Sequence, residues 1–156
     1  MITLSLLIIS AAALITSRPV AKIDHSANPV ITGLLHNIYH AFDYRDESMV
    51  YDLLEQSISG DLLEEIYLKM RRSLELDNQG GARAKVKAVT LEKLTAHRLD
   101  GDIGFIADAT WRVTGSVGHW GHVHQRVNQY QAQLRIQSID RRWKLTGLEI
   151  FNEERL

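Results

Sequence analysis

The chain has 156 residues, of which 45% are hydrophobic and 24% charged, and its formal net charge is −1. This length suits one domain with a core of its own. The near-neutral charge disfavours a nucleic-acid surface, which normally carries a basic excess, so no nucleic-acid partner is predicted. The sequence contains no cysteine, which excludes a disulfide framework, thiol catalysis and any zinc site built from cysteine.

The first segment of the chain is apolar and differs from the rest. Residues 2–16 read ITLSLLIISAAALIT, without a charged side chain. As a helix this run would reach roughly 22 Å, short of a ~30 Å hydrocarbon core. Three interpretations stay open: a membrane anchor followed by interfacial charges at Arg18 and Lys22, a cleaved signal peptide that lacks the usual basic start, or a buried helix.

Residues 1–17 are therefore predicted to be a transmembrane anchor or signal-like segment, and residues 18–29 a linker to a domain over residues 30–156. The predicted partner of the first segment is a membrane. Because the basic residues follow the apolar run, the positive-inside rule would leave an anchored domain in the cytoplasm. Cleavage of a signal peptide would instead export it, to the periplasm for example, so the side of the membrane stays open.

Residues 30–76 carry the 3.6-residue period of amphipathic helices. The first helix is predicted over residues 30–42. Asp46 is expected to cap a second, short helix, and Asp61 with Glu64 to form the capping box of a third. The run DNQGG after residue 76 is a strong helix stop.

After Gly81 the apolar period changes to about 2, which predicts four strands, over residues 85–98, 105–120, 122–139 and 143–151, and then a polar tail. A bulge is expected near Ala88, where the alternation slips. A two-residue turn between the second and third strands makes His119 face His122 and Trp111 face Tyr130. This register sorts apolar from polar side chains along most of the hairpin, and a slip of one residue would destroy the sorting.

Three helices followed by an antiparallel meander predict an α+β fold, with the helices packed on one face of a curved four-stranded sheet. The element order, with the opening helix LLHNIYHAFDYRD, the third helix DLLEEIYLKMRRSLEL and the terminal strand WKLTGLEI, resembles the NTF2-like (SnoaL-like) α+β superfamily over residues 30–151. The resemblance implies a cone-shaped fold. More loosely, AFDYRDESMVYDLLEQS, NQGGARAKV and VTGSVGHWGHVHQRVNQYQA resemble a bacterial family of soluble domains attached to membrane-spanning segments, which supports the anchor.

The NTF2-like resemblance also implies a hollow between helices and sheet, where enzymes of this fold use Asp, His or Tyr as acid or base. The sequence matches no particular isomerase or dehydratase motif, so the catalytic residues stay unknown. The inward-facing positions offer four pocket candidates: Tyr39, Trp111, Asn128 and Tyr130. The alternative is that these aromatic side chains simply fill a core.

Histidines supply the candidate metal ligands. His119, His122 and His124 share the inward face of the predicted hairpin, where three imidazoles could hold Zn²⁺ or Cu²⁺ with a position left for water. The alternative is that they are ordinary side chains at an exposed hairpin tip. His36 and His40 are spaced i, i+4 but lie away from the apolar stripe of their helix, so they are expected at the surface. No other cofactor is predicted.

The sequence favours a membrane-tethered or exported domain with a binding or assembly role and no recognisable catalytic set. One alternative is a small-molecule-binding enzyme of the NTF2-like type that uses the cone pocket, and another is a histidine-based metal-binding domain. The outer sheet face is predicted to carry a polar row, Gln129, Gln131, Gln133 and Arg135. This row suggests a homodimer through the sheet face, or else plain solvated sheet.

Overall fold

The computed structural model describes residues 26–81, 83–101, 103–119 and 121–156. Helices precede strands, as predicted, and the elements are α1 (Ala27–His40), a 3₁₀ turn (Ala41–Asp43), α2 (Glu47–Ser57), α3 (Asp61–Asn78), β1 (Arg83–Arg98), β2 (Gly104–His119), β3 (His122–Ile139) and β4 (Arg142–Arg155). The strands form one antiparallel sheet in the order β1-β2-β3-β4. The predicted α+β class, with three helices and a four-stranded antiparallel sheet, is confirmed.

The predicted anchor or signal-like segment, residues 1–17, lies outside the described residues, as does most of the predicted linker. Within the described ranges, none of the helices is both long enough and apolar enough to cross a membrane. Helix α1 begins at Ala27, before the predicted start at residue 30. Pro29 fits in the first turn because a helix needs no N–H donor there. Ala27 is fully buried and belongs to the core, whereas Asn28 and Pro29, which follow it in the predicted linker, are exposed.

The helix caps agree with the sequence at α2 and differ at α3. Asp46 caps α2 as predicted, since its Oδ1 accepts from the Met49 backbone N–H at 2.9 Å. The capping box predicted at Asp61 is wrong, because Asp61 is the first residue of α3 and Gly60 is its N-cap, at φ 70°. The chain enters α3 through a positive φ at Gly60, which glycine adopts without strain. Because glycine has no side chain, this N-cap makes no side-chain hydrogen bond.

The register predicted for the β2–β3 hairpin is confirmed along its whole length, from His119 opposite His122 to Phe105 opposite Ile136. In β1 the register shifts between Val86 and Ala88, at the predicted bulge. A second shift, between Leu91 and Lys93, was not predicted. Bulges bend a strand and increase its twist, so both shifts change the direction of β1 along the sheet.

Strand β4 continues to Arg155, and the predicted polar tail after residue 151 is wrong. Its last residues pair with the first half of β3, from Asn152 opposite Gln131 to Arg155 opposite Asn128. The polar side chains at the end of β4 by themselves indicate a tail. Backbone pairing with β3 nevertheless holds this segment in the sheet. At its other end the edge of β4 is covered, because Ile58 forms a parallel bridge to Leu145.

The helices pack on one face of the sheet, called here the inner face. On β2 and β3 the buried residues alternate along the strands: Phe105, Ala107, Ala109, Trp111, Ala132, Leu134 and Ile136. Facing them are buried residues of α1: Ile31, Leu34, Leu35 and Ile38. Helix α3 buries only Leu63 and Met70 fully, so it lies less deeply against the sheet than its apolar pattern predicts.

Candidate binding cleft

The fold brings the four predicted pocket residues together on the inner face. Tyr39 comes from α1, Trp111 from β2, and Asn128 and Tyr130 from β3. The Trp111 Nε1–H donates to the Tyr39 hydroxyl at 3.1 Å, and the Trp111 and Tyr130 rings stack with centroids 5.4 Å apart. Trp111 is only 2% exposed, so this hydrogen bond gives a buried donor its partner. Tyr39, Trp111 and Tyr130 are called the aromatic cluster.

Asn128 connects the aromatic cluster to the end of β4. Its Nδ2 donates to the Tyr130 hydroxyl at 3.2 Å and to Glu153 Oε1 at 3.3 Å. Because a carboxylate only accepts, the amide nitrogen must face Glu153, which fixes the orientation of the amide. The Asn128 Oδ1 is buried and has no hydrogen-bond partner among the described residues. Asn128 therefore holds one buried acceptor without a partner in the described part of the chain.

The two tyrosines of the cleft stay neutral under ordinary conditions. Burial raises the pKa of Tyr39, and the hydrogen bond from Trp111 opposes that shift only in part. Burial also raises the pKa of Tyr130, against the hydrogen bond from Asn128. A phenol whose pKa is raised above its usual value is a poor general base near neutral pH, and it serves as a hydrogen-bonding group.

A cavity of about 290 Å³ lies between α1, α3 and the sheet, and is called the apolar cavity. Its apolar lining comes from Leu35, Ile38, Phe42, Ile66, Met70, Trp111, Leu134, Leu145, Leu148 and Ile150. The polar side chains that line it are Tyr39, Tyr130 and Lys69, and the Lys69 Nζ is paired with Glu65 at 2.6 Å. Ile150 is 48% exposed and Phe42 37% exposed, so apolar side chains reach the opening of the cavity beside the exposed Lys69.

A second cavity, of about 220 Å³, lies toward the tip of the β2–β3 hairpin and is called the hairpin cavity. Tyr39, Phe42 and Tyr130 line both cavities. The rest of the lining comes from Ala84, Lys85, Val86, Val113, Gly115, Ser116, Val117, Arg126 and Asn128. The register places Lys85 and Ser116 opposite each other on the outer face, so Arg126 is the basic residue of this lining that lies on the inner face. Arg126 lies on the inner face, opposite Gly115.

Two residues of the cleft, Arg126 and Glu153, were missed by the sequence analysis. Arg126 could have been found, because the predicted register places it on the inner face, two residues before Asn128. A charged side chain on the face that packs against the helices is an informative exception. Glu153 could not have been found, since the predicted β4 ended at residue 151.

The predicted metal site stays a prediction. The backbone pairs His119 with His122 and Val117 with His124, as the register requires. The His119 side chain lies outside what the structure describes. Among the described side chains, no three histidine or acidic residues approach closely enough to share a metal ion.

The remaining candidates lie on the surface. His36 and His40 are exposed, as expected, and the His40 Nδ1 lies 3.0 Å from Asp43 Oδ2. On the outer sheet face, Gln133 Nε2 donates to Asp108 Oδ1 at 3.2 Å. Gln131 and Arg135 of the predicted polar row are exposed. Dimerisation through this face stays a prediction.

Comparison with known proteins adds to the description of the fold. No protein-family model matches the chain, and no curated protein matches it either. The crystal structure of the intermembrane space region of the chloroplast protein ARC6 is similar, with a TM-score of 0.58 at 15% identity, over 83% of this chain and 97% of that one. A de novo designed β-sheet protein solved by NMR has a TM-score of 0.43 at 16% identity, over 81% of this chain and 89% of that one. At this level of identity, the likeness to the ARC6 region concerns the fold alone.

Proposed function

We propose that the chain is a binding domain that receives a small apolar ligand in its apolar cavity. The observation that carries this proposal is a cavity of about 290 Å³ with a mostly apolar lining. Ligand sites typically occupy ~300–1,000 Å³, so the volume suits a small ligand or a short apolar chain. Each ~100 Å² of apolar surface that such a ligand removes from water contributes about 2.5 kcal/mol.

The chemistry of the polar groups supports binding over catalysis. The Tyr39 hydroxyl already accepts a hydrogen bond from Trp111, and its raised pKa keeps it protonated. In that state it can donate one hydrogen bond to a ligand and cannot abstract a proton near neutral pH. The alternative, an enzyme that works in the same cleft, lacks a group suited to that step among the residues described around the apolar cavity.

The proposal includes an NTF2-like cone and attachment to a membrane. A bulged antiparallel sheet, covered on one face by helices with a cavity between them, is what an NTF2-like architecture requires, and this supports that membership. The uncharged run over residues 2–16 supports tethering. Membrane flotation tests the tether: the full chain is expected to float with lipid vesicles, and a chain that begins at residue 18 is expected to stay at the bottom.

Ligand binding can be followed through Trp111, which lines the apolar cavity. A chain with Trp120→Phe and Trp143→Phe keeps Trp111 as its reporting indole. Titration with n-octanol, a neutral apolar probe, is expected to change the Trp111 emission saturably. If neither octanol nor a smaller alcohol produces a saturable change, the proposal is wrong.

Two matched variants of α3 test the location of binding. Ile66 lines the apolar cavity, and Ile66→Phe adds volume inside it. Leu68 is 48% exposed on the same helix and does not line the cavity, so Leu68→Phe is the control. Octanol binding is expected to weaken at least about fivefold in the Ile66 variant, because one or two displaced methylenes are worth ~1 kcal/mol each, and to stay unchanged in the control. Equal affinities in the two variants would place the ligand elsewhere.

A further inference from the structure

We propose that the hairpin cavity recognises the acid end of an amphipathic carboxylate that carries a hydrogen-bond donor beside its acid group, as an N-acyl amino acid does. This inference rests on the proposed function, because the apolar chain of the ligand contacts Tyr39 and Phe42, which also line the apolar cavity. The two cavities would then have separate roles, one for the chain and one for the polar end.

Arg126 supplies the positive charge. It lies opposite Gly115, which also lines the cavity. Three other arginines of the described chain are held in ion pairs: Arg45 with Asp77, Arg71 with Glu47 and Glu75, and Arg112 with Glu92. A guanidinium matches a carboxylate through two parallel hydrogen bonds, which makes arginine suited to this group.

Asn128 supplies the second requirement, a donor on the ligand. Its Nδ2 is already engaged by Tyr130 and Glu153, while its buried Oδ1 has no partner in the part of the chain that is described. A buried acceptor without a partner is costly, and a ligand N–H or O–H would satisfy it. The ligand must therefore present a donor as well as an anion.

The spacing of these two groups sets the chemistry of the ligand. Arg126 and Asn128 are two residues apart on one strand and share a face, so their Cα atoms are about 7 Å apart. The long arginine side chain can close much of that distance. The Arg126 guanidinium and the Asn128 Oδ1 can then contact two groups of one ligand that are only a few bonds apart. The amide N–H of an N-acyl amino acid is separated from the carboxylate by a single carbon. A 2-hydroxy acid presents the same pair of groups with O–H as the donor.

Glu153 orients the bound molecule. Its carboxylate accepts from Asn128 Nδ2, which places negative charge on the side of the amide away from the free Oδ1. A ligand carboxylate is repelled from Glu153 and attracted to Arg126, so the acid group points toward the hairpin tip. The apolar chain then points toward Tyr39 and Phe42, the wall shared with the apolar cavity. The volume of about 220 Å³ equals that of roughly seven liquid waters at ~30 Å³ each, which suits a short ligand.

The test uses the Trp111-reporting chain and four probes of similar size. N-hexanoylglycine carries both the donor and the acid, and 2-hydroxyoctanoic acid carries a hydroxyl donor in place of the amide. Octanoic acid lacks the donor, and N-hexanoylglycinamide lacks the acid. N-hexanoylglycine is expected to bind about tenfold more tightly than the glycinamide and severalfold more tightly than octanoic acid, since hydrogen bonds to charged groups are the stronger ones. Comparison of N-hexanoylglycine with 2-hydroxyoctanoic acid shows whether the site prefers an amide N–H or a hydroxyl O–H as the ligand's donor.

Matched arginine variants complete the test. Arg126→Gln is expected to weaken N-hexanoylglycine about tenfold and to leave octanol binding unchanged. Arg135→Gln, at an exposed arginine of the same strand on the outer face, is expected to change neither. Equal affinity for the acid and the glycinamide in the unmodified chain would overturn the inference, and so would equal effects of the two variants. In both cases saturable octanol binding would still support the proposed function. Absence of octanol binding would instead overturn the proposed function, and with it this inference, which rests on it.

Discussion

Gly115 lies on β2 opposite Val86, beside the first bulge of β1, and its replacement by alanine tests how closely the two strands pack at the hairpin cavity. A Cβ at this position would meet the Lys85 carbonyl oxygen at 2.6 Å, with the Lys85 carbonyl carbon at 3.5 Å and the Val86 Cα at 3.7 Å. The first distance is 0.8 Å short of the 3.4 Å at which ordinary contacts begin. The obstructing atom belongs to the backbone, so a side-chain rotation cannot relieve the clash.

The expected cost follows from two opposing effects. Forcing extra volume into a packed position costs about 1–3 kcal/mol. Replacing glycine in a strand regains about 0.5–1 kcal/mol, because the unfolded chain loses conformational freedom. The free energy of unfolding is therefore expected to fall by about 1–2 kcal/mol in Gly115→Ala. For a domain of this size, that corresponds to a Tm decrease of about 2–8 °C.

Gly118→Ala is the control, since a Cβ at Gly118 meets nothing closer than 3.8 Å on the same strand. This variant is expected to be as stable as the parent or slightly more stable. Urea unfolding followed by circular dichroism measures both variants, and an unchanged m-value would show that only stability has altered. If the two variants unfold at the same urea concentration, the close approach of β1 and β2 does not constrain the hairpin and the reasoning is refuted.

Three further predictions concern the aromatic cluster, its titration and a helix cap. Tyr39→Phe leaves the buried Trp111 Nε1–H without its partner, so urea unfolding should show a loss of about 1–3 kcal/mol, and no loss would mean that this hydrogen bond contributes nothing. Because burial raises the pKa of Tyr39, the folded state holds this proton more tightly than the unfolded state, and stability should be full below pH ~10 and decline above it. Tyr39→Phe should reduce that decline by up to ~1.4 kcal/mol per pH unit in urea titrations, and an identical alkaline slope would contradict the assignment. Asp46→Ala should lower the urea midpoint of unfolding because it removes the cap on Met49 N, whereas Asp46→Asn should keep the midpoint close to that of the parent; equal midpoints for the two variants would contradict the cap.

The β2–β3 hairpin could be predicted residue by residue because two faces of opposite polarity leave one acceptable register. Trp111 opposite Tyr130 followed from that register alone. The bond between Trp111 and Tyr39 could not be predicted, since it joins residues 72 positions apart and depends on how α1 lies across the sheet. The local sequence pattern identified both Trp111 and Tyr39 as inward-facing, but it did not give the distance between them.

The two wrong predictions, the capping box of α3 and the tail after β4, have identifiable physical causes. The Asp61–Glu64 spacing is that of a capping box, but the turn after the Ile58 bridge requires a positive φ, and Gly60 becomes the N-cap. The polar residues at the end of β4 were predicted as a tail because their own side chains do not indicate that the long strand β3 lies beside them. Pairing with residues 128–131 depends on the length of β3, a non-local property.

The parallel bridge from Ile58 has a consequence for how copies of this protein meet. It covers the edge of β4 at Leu145, where Ser59 N also donates to the Leu145 carbonyl at 3.1 Å. The outer half of the edge strand bears Glu149, Glu153 and Glu154, all exposed. A second copy that extended the sheet along this edge would bring like charges together, which opposes the templated pairing that begins aggregation. One end of this edge strand is thus closed by backbone hydrogen bonding, and the other carries carboxylates that repel a second copy of the same edge.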